Sequence, residues 1–347
     1  MFCVSAFMNF DVAMPLTLFA VTVVSMLLNG KVEGKMRSVF EEKEFRIRDV
    51  VPLIVAMGVM VYLIVRIPRM AIMALFLFAY SMLLFIFTYL FSDFNKTGAK
   101  RFCLIFLMVS FLAATISLTS FGVYSTVAYG ALAFYCLFGF TFLALLYDRN
   151  RTDTGERWYL AVLPPALFVC LYVFFSGTPI WFPYLLDVYG VVFAVLITLY
   201  LGSLFTWKTS LIFVGLLTIM DIILVLWTGS MVSAARHVSS LQLPMLIVVR
   251  TLPAVTINGN LIWMSLGLGD FFFAGLLAIQ TLRKFGTRLA VISAVAMSAS
   301  FFIFEAFMLN YEPRAFPGTL MIICGWAPLV LWKGLKTSRK RIHQNLL

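Results

Sequence analysis

The chain of 347 residues is 63% hydrophobic and 12% charged, with a mean hydropathy of +1.01. A soluble domain is roughly 45–50% apolar, so this composition excludes that class and predicts an all-α polytopic membrane protein. The net charge of +11 does not predict a nucleic-acid partner, because the bases lie in short loops between apolar runs, where they act as orientation signals and lipid headgroup contacts. The five cysteines, Cys3, Cys103, Cys136, Cys170 and Cys324, are scattered singly and read as packing residues, with no disulfide framework. The two histidines, His237 and His343, are far apart and no His-Glu-x-x-His occurs, so a zinc site is not expected. The opening Met1-Phe-Cys-Val-Ser lacks a basic stretch and reads as no cleavable signal peptide.

In chain order, the first apolar run covers about 11–29. The polar stretch 30–49 follows, with six bases and five acids; it reads as a short surface helix or a connector. Further runs lie at about 50–66, 71–91, 102–120, 127–147, 158–175 and 184–206. The last four are expected at 209–229, 261–282, 289–309 and 315–332, giving eleven spans. If the loops are numbered in sequence, the odd-numbered ones and the C-terminal tail hold 21 of the 26 Lys and Arg, and the other side holds 5. The positive-inside rule then predicts an external N-terminus and a cytoplasmic C-terminus. The division expected is 1–183 as scaffold helices, 184–335 as the functional membrane domain and 336–347 as a cytoplasmic basic tail.

Two acids in these runs stand out. Asp221 lies in the run 209–229 and Asp270 in 261–282, each about 18 Å from the inner boundary at 1.5 Å per helical residue. An acid at membrane depth costs ~2.5–3.5 kcal/mol on insertion scales and is a functional-site candidate. Gly267 and Gly269, just before Asp270, remove side-chain bulk and allow another backbone to come close. Between the two acids, Met245, Leu246, Ile247, Val248 and Val249 form an apolar, β-branched run bounded by prolines and too short to span, which reads as a strand or an extended loop. Glu305 is expected in a helix-to-helix hydrogen bond, Asp187 at the membrane interface, and Arg250 beside a headgroup or one of the acids.

Two carboxylates close together in a low-dielectric site cannot both ionise and share a proton. One can then take a proton from water while the other donates to a carbonyl oxygen, which is acid–base amide hydrolysis. Proton relay or cation binding in a transporter would use the same two residues. No Gly-x-Ser-x-Gly supports a serine nucleophile.

Leu266-Gly-Leu-Gly-Asp-Phe-Phe-Phe-Ala-Gly resembles the Gly-x-Gly-Asp helix of presenilins and signal peptide peptidases, the intramembrane aspartyl proteases. Met220-Asp221-Ile-Ile resembles their Tyr-Asp motif, with methionine in place of tyrosine. The stretch from Asp221 through Met231-Val-Ser-Ala-Ala-Arg and Leu243-Pro-Met-Leu-Ile-Val-Val is similar to archaeal members. The family's Pro-Ala-Leu falls by position on Pro317-Gly318-Thr319, where only the proline matches; the literal Pro165-Ala166-Leu167 precedes both acids and is read as coincidence. The resemblance covers roughly 184–332, and the family's usual nine spans leave two extra at the N-terminus here. Gly-x-Gly-Asp also occurs in prepilin peptidases, whose pattern has a lysine shortly after the aspartate; Phe271–Phe273 does not fit it.

The resemblance implies a presenilin-like bundle with Asp221 and Asp270 as the catalytic pair and no metal or cofactor. It implies that Gly267 and Gly269 admit the substrate backbone, that Pro317, Gly318 and Thr319 shape the site, and that the strand Met245–Val249 pairs with an unwound transmembrane substrate. The expected partners are the bilayer and transmembrane peptides; a homo-oligomer is left open.

Overall fold

A computed structural model describes residues 9–39, 45–92, 96–119, 125–149, 157–257, 260–311 and 316–345. It is predominantly helical, and nine helices among the described residues are long and apolar enough to cross a membrane. The protein is a multi-pass membrane protein. Large apolar side chains such as Leu27, Val55, Met108 and Ile303 are exposed on these helices, the surface that a bilayer covers at no hydrophobic cost.

Two compact units form, Pro68–Leu186 and the combination of Met1–Ile67 with Asp187–Leu347. They do not follow the 1–183 and 184–335 division read from the sequence, because the first two helices pack with the C-terminal half. The unit Pro68–Leu186 contains α3 (Arg69–Leu90), α4 (Lys96–Thr119), α5 (Ser125–Arg149), the short α6 (Trp158–Ala161) and α7 (Leu163–Phe175). Within it the buried Asp148 carboxylate accepts hydrogen bonds from Arg157 Nε and the Tyr159 hydroxyl, so this deep charge is paired.

The other unit contains α1 (Ala13–Val39), α2 (Ile47–Arg66), α8 (Leu186–Leu204), α9 (Trp207–Ile222), α10 (Ser230–Ser240), α11 (Leu268–Phe285), α12 (Thr287–Tyr311) and α13 (Gly318–Asn345). Helix α1 continues through Gly30 and Gly34 to Val39. The surface helix expected within 30–49 is therefore an extension of the first span as far as residue 39; residues 40–44 of that stretch lie outside the described residues. Helix α13 likewise runs on without a break into the basic tail expected at 336–347.

α1 packs along α11 and α12, and α11 along α9, α12 and α13. Small residues set the closest approaches, as they do in membrane bundles. A Cβ on Gly275 of α11 would overlap the Thr198 side chain of α8, and one on Gly325 of α13 would overlap the Ala296 backbone of α12. Gly325→Val is expected to destabilise the protein by about 1–3 kcal/mol, measured as unfolding in detergent micelles with increasing denaturant.

Four strands lie between α10 and α11: β1 (Leu246–Arg250), β2 (Thr256–Ile257), β3 (Asn260–Leu261) and β4 (Trp263–Gly267). β1 pairs antiparallel with β4, from Leu246 opposite Gly267 to Arg250 opposite Trp263. The expected strand is thus present, shifted by one residue from Met245–Val249. The expected transmembrane helix over 261–282 needs correction: all of its first seven residues but Ile262 are strand, and the helix begins at Leu268. The reason is local. Ile262, Met264 and Leu266 alternate with Trp263 and Ser265, and the second set is the more exposed, a period of two that suits a pleated strand and not a helix.

Candidate active site

Asp221 is the last residue but one of α9, where the helix loosens into the wider turn of Ile223–Trp227. Asp270 is the third residue of α11, and Gly267 precedes that helix in extended conformation. Measured along the helices, Asp221 lies about 21 Å from Trp207 and Asp270 about 22 Å from Phe285. The two acids remain level, although the helix that carries Asp270 starts later than the apolar run does. α11 ends at Gly286, whose φ of +88° favours glycine and stops the helix.

The start of α13 joins them. Thr319 Oγ1 donates to Asp221 Oδ2 at 2.6 Å, and the Thr319 backbone N–H points at the same oxygen at 3.4 Å. The preceding residue, Gly318, faces Asp270 so closely that a Cβ there would sit 2.5 Å from Asp270 Oδ1 and 2.7 Å from its carboxyl carbon. Consecutive residues of one helical turn therefore touch the two acids, one each, and the two carboxylates are within electrostatic range of each other. Asp221 also lies at the N-terminus of α13, where unsatisfied amides and the helix dipole favour an anion. Asp221 is buried, whereas Asp270 is half-buried and has exposed Gly269 beside it.

The remaining predicted residues fall around this centre. Pro317 is buried immediately before α13, and its carbonyl accepts from Met321 N–H. Gly267 would bring a Cβ to 3.4 Å from Asp270 Oδ2, while a Cβ on Gly269 meets nothing within 4 Å. Close approach is thus required at Gly318, whereas a Cβ at Gly267 would make ordinary contact and one at Gly269 would open onto free space. Of the strand residues, Met245 lies just outside β1, where its carbonyl accepts from Leu268 N–H at 3.0 Å. That bond ties the strand to the first residue of the Asp270 helix. Ile247 is fully buried, whereas Leu246, Val248 and Val249 are half-buried.

Of three further expectations, the one for Glu305 changes. Asp187, expected at the interface, accepts a hydrogen bond from the Val248 backbone N–H at 2.8 Å. Glu305, expected in a helix-to-helix hydrogen bond, is 1% exposed with neither carboxyl oxygen hydrogen-bonded. Its electrostatic neighbour is a second acid, Asp11. Arg250 is exposed at the end of β1, and among the described residues it forms no ion pair with an acid.

Asp11 was not singled out by sequence. It caps α1 by accepting from Ala13 and Met14 N–H, and it also accepts from Leu252 N–H at 2.6 Å, just past β1. An aspartate two residues before a helix is a usual cap, so the signal for its first role was present and that for its second was not.

Among the described residues no group of His, Cys, Asp and Glu could hold a metal ion. The chemistry open to this centre is that of two carboxyl groups, a hydroxyl and backbone amides. A scan against protein-family models, a search of curated proteins and a search of solved structures find no match to this chain.

Proposed function

We propose that the protein is an intramembrane aspartyl protease of the presenilin-like class, hydrolysing peptide bonds inside transmembrane segments or signal-peptide remnants. The observation that carries this reading is the meeting of Asp221 and Asp270 at Gly318–Thr319. Two acids from different helices held against one turn suit shared-proton hydrolysis. The place of that turn, directly after Pro317, agrees with the position of the family's third motif.

In this mechanism Asp221, already accepting two donors from Thr319, acts as the carboxylate and takes a proton from water. The water oxygen attacks the scissile carbonyl carbon. Asp270, on the open side, gives its proton to the carbonyl oxygen. Collapse of the tetrahedral intermediate breaks the C–N bond: one of its hydroxyls returns a proton to Asp270 as the carbonyl re-forms, and the leaving amine takes up the proton that Asp221 gained. A substrate helix must first unwind, since its own hydrogen bonds shield the carbonyl. The β1–β4 hairpin, which runs directly into Asp270, supplies backbone groups to hold the unwound segment.

Thr319 is then a positioning residue. Thr319→Val is expected to lower kcat about 10–100-fold, in line with a hydrogen bond to a charged group worth ~1.5–3 kcal/mol, while Thr319→Ser restores most of it. Equal rates for the three would remove Thr319 from the mechanism.

Adding α11 and the apolar segment Gly318–Gly334 to the nine long helices gives eleven spans, with the N-terminus outside and the C-terminus in the cytoplasm. The Asp270 helix then runs from outside to inside, which resembles signal peptide peptidases, and substrates with a cytoplasmic N-terminus should be preferred. The test is purified protein in vesicles with two matched single-span reporters of opposite orientation. Cleavage of one orientation at least about tenfold faster is expected, and equal cleavage would defeat the assignment.

A second reading, a proton- or cation-coupled transporter, draws on Glu305, whose buried and unpartnered carboxyl lies near Asp11. Glu305→Gln separates the two: a relay would lose coupled uptake into vesicles, while reporter cleavage would continue.

A further inference from the structure

Besides Asp221, the unit that holds the candidate active site has two buried acids among the described residues, Asp11 and Glu305, 0% and 1% exposed. Contacts on either side place them together. Asn9 N–H donates to Asn310 Oδ1 at 2.9 Å, and Asn310 Nδ2 donates to the Asn9 carbonyl at 2.7 Å. The Phe10 and Phe302 rings meet edge to face, with centroids 6.1 Å apart. Residues 9–11 therefore lie along α12 between Phe302 and Asn310. Glu305 falls in that interval, about one turn past Phe302, with Asp11 as its electrostatic neighbour.

The two acids differ in their partners. Asp11 accepts from three amides, at Oδ1 from Ala13 and Leu252 and at Oδ2 from Met14. Neither oxygen of Glu305 has a hydrogen-bond partner. A charge on Glu305 would be unpaired in the interior beside a second acid, so the site accommodates the neutral acid. α1, α11 and α13 pack on α12, and their other ionisable groups lie elsewhere. Lys31, Glu33 and Lys35 are at the far end of α1, and Arg283 and Lys284 at the far end of α11. Asp270, near the start of α11, is turned to Gly318. α13 carries Cys324, which is exposed, and Lys333 further along; α12 itself has Arg288 in its first turn and exposed Tyr311 at its end. Arg250 is exposed at the end of β1.

What Asp11 holds leads toward Asp270. Leu252 N–H donates to Asp11 Oδ1 at 2.6 Å, and the Leu252 carbonyl accepts from Val12 N–H at 2.9 Å. These bonds fasten the chain just past β1 to the start of α1. β1 pairs with β4, and β4 runs into the helix that carries Asp270. We propose that Glu305 is a second proton-binding site, separate from Asp221 and Asp270, whose proton keeps residues 9–11 seated on α12 and Leu252 fastened to Asp11. This goes beyond the protease reading and does not rest on it, since it concerns the fastening and not the reaction. The fastening holds while Glu305 is protonated and opens as pH rises through its titration. The new charge draws water between residues 9–11 and α12, and the end of β1 comes loose.

The experiment is hydrogen exchange at the Leu252 amide of the full-length protein in vesicles, from about pH 6 to about pH 10, each rate divided by that of an unstructured amide at the same pH. In wild type, Leu252 protection is expected to fall at least about tenfold over this range while protection within α12 holds. Glu305→Gln has nearly the same size and no proton to lose, and its Leu252 protection should stay within about twofold. If Glu305→Gln is not recovered in monodisperse form, Glu305→Met takes its place with the same expectation. A flat wild-type profile would overturn the proposal. So would an equal fall in wild type and the neutral variant, or a fall that α12 shares, which is unfolding of the whole unit. Reporter cleavage is not read, so failure of the protease reading leaves this result untouched.

Discussion

Asp221→Asn and Asp270→Asn are each expected to lower reporter cleavage by at least about 10²–10⁴-fold, the contribution of positioned acid–base catalysis. Asparagine nearly preserves volume and hydrogen-bonding capacity, so the bundle should persist. Either change removes the proton exchange that both steps need, and the double variant should be no worse than the single ones, because groups acting as one unit are not additive. The Asp221 variant has a second signature. Its Oδ2 partner is Thr319, and an asparagine oxygen can still accept that hydroxyl, so the start of α13 should stay in place while activity is lost. Initial rates on the single-span reporter, with monodispersity in detergent as the fold control, check both.

The next largest effect is expected at Gly318. Its Cβ would sit 2.5 Å from Asp270 Oδ1, far inside contact distance, so any side chain must move the carboxyl or the start of α13. Displacement of a reacting group by about 1 Å can cost about 10²-fold in rate. Gly318→Val should therefore lose about that factor in kcat with little change in stability, since Gly318 is half-buried at a helix end. Gly215→Ala is the control. It lies on α9 with nothing within 4 Å of its Cβ, and the rate should stay within about twofold.

Much of this centre was legible in the sequence. Acids within apolar runs are expensive enough to stand out, and the distribution of Lys and Arg predicts one depth for Asp221 and Asp270. The β-branched run near Val248 left a strand and an extended loop open, and the strand is what forms. The helix start at Leu268 was not legible, because residues 261–267 are as apolar as the helix that follows, and hydropathy alone reads one span across both. Period-two alternation was the signal that distinguished them. The contact of Asp187 with Val248 joins residues 61 apart, and that of Asp11 with Leu252 joins residues 241 apart. No local pattern encodes such pairs.

Thr319 is the most instructive position. Pro317-Gly318-Thr319 departs from Pro-Ala-Leu, and by motif alone that departure weakens the site. In the structure the departure supplies two things: a hydroxyl that holds Asp221, and a glycine that leaves room for Asp270. Glu305 shows the opposite case. Its place mid-helix suggested a hydrogen bond across helices, yet both its oxygens are buried without one.

The central claim is that Asp221 and Asp270 flank one turn of α13, and paired cysteines test it most directly. Asp270→Cys with Gly318→Cys, and separately Asp221→Cys with Thr319→Cys, are made in the otherwise cysteine-free protein, with a protease site placed between Tyr311 and Phe316. After mild oxidation in vesicles and cleavage at that site, both pairs should keep the α13 fragment attached until a reductant is added, because disulfides form only where Cβ atoms lie about 3.5–4.5 Å apart or the backbone moves little to bring them there. Release of the fragment without reductant in both pairs would contradict the account.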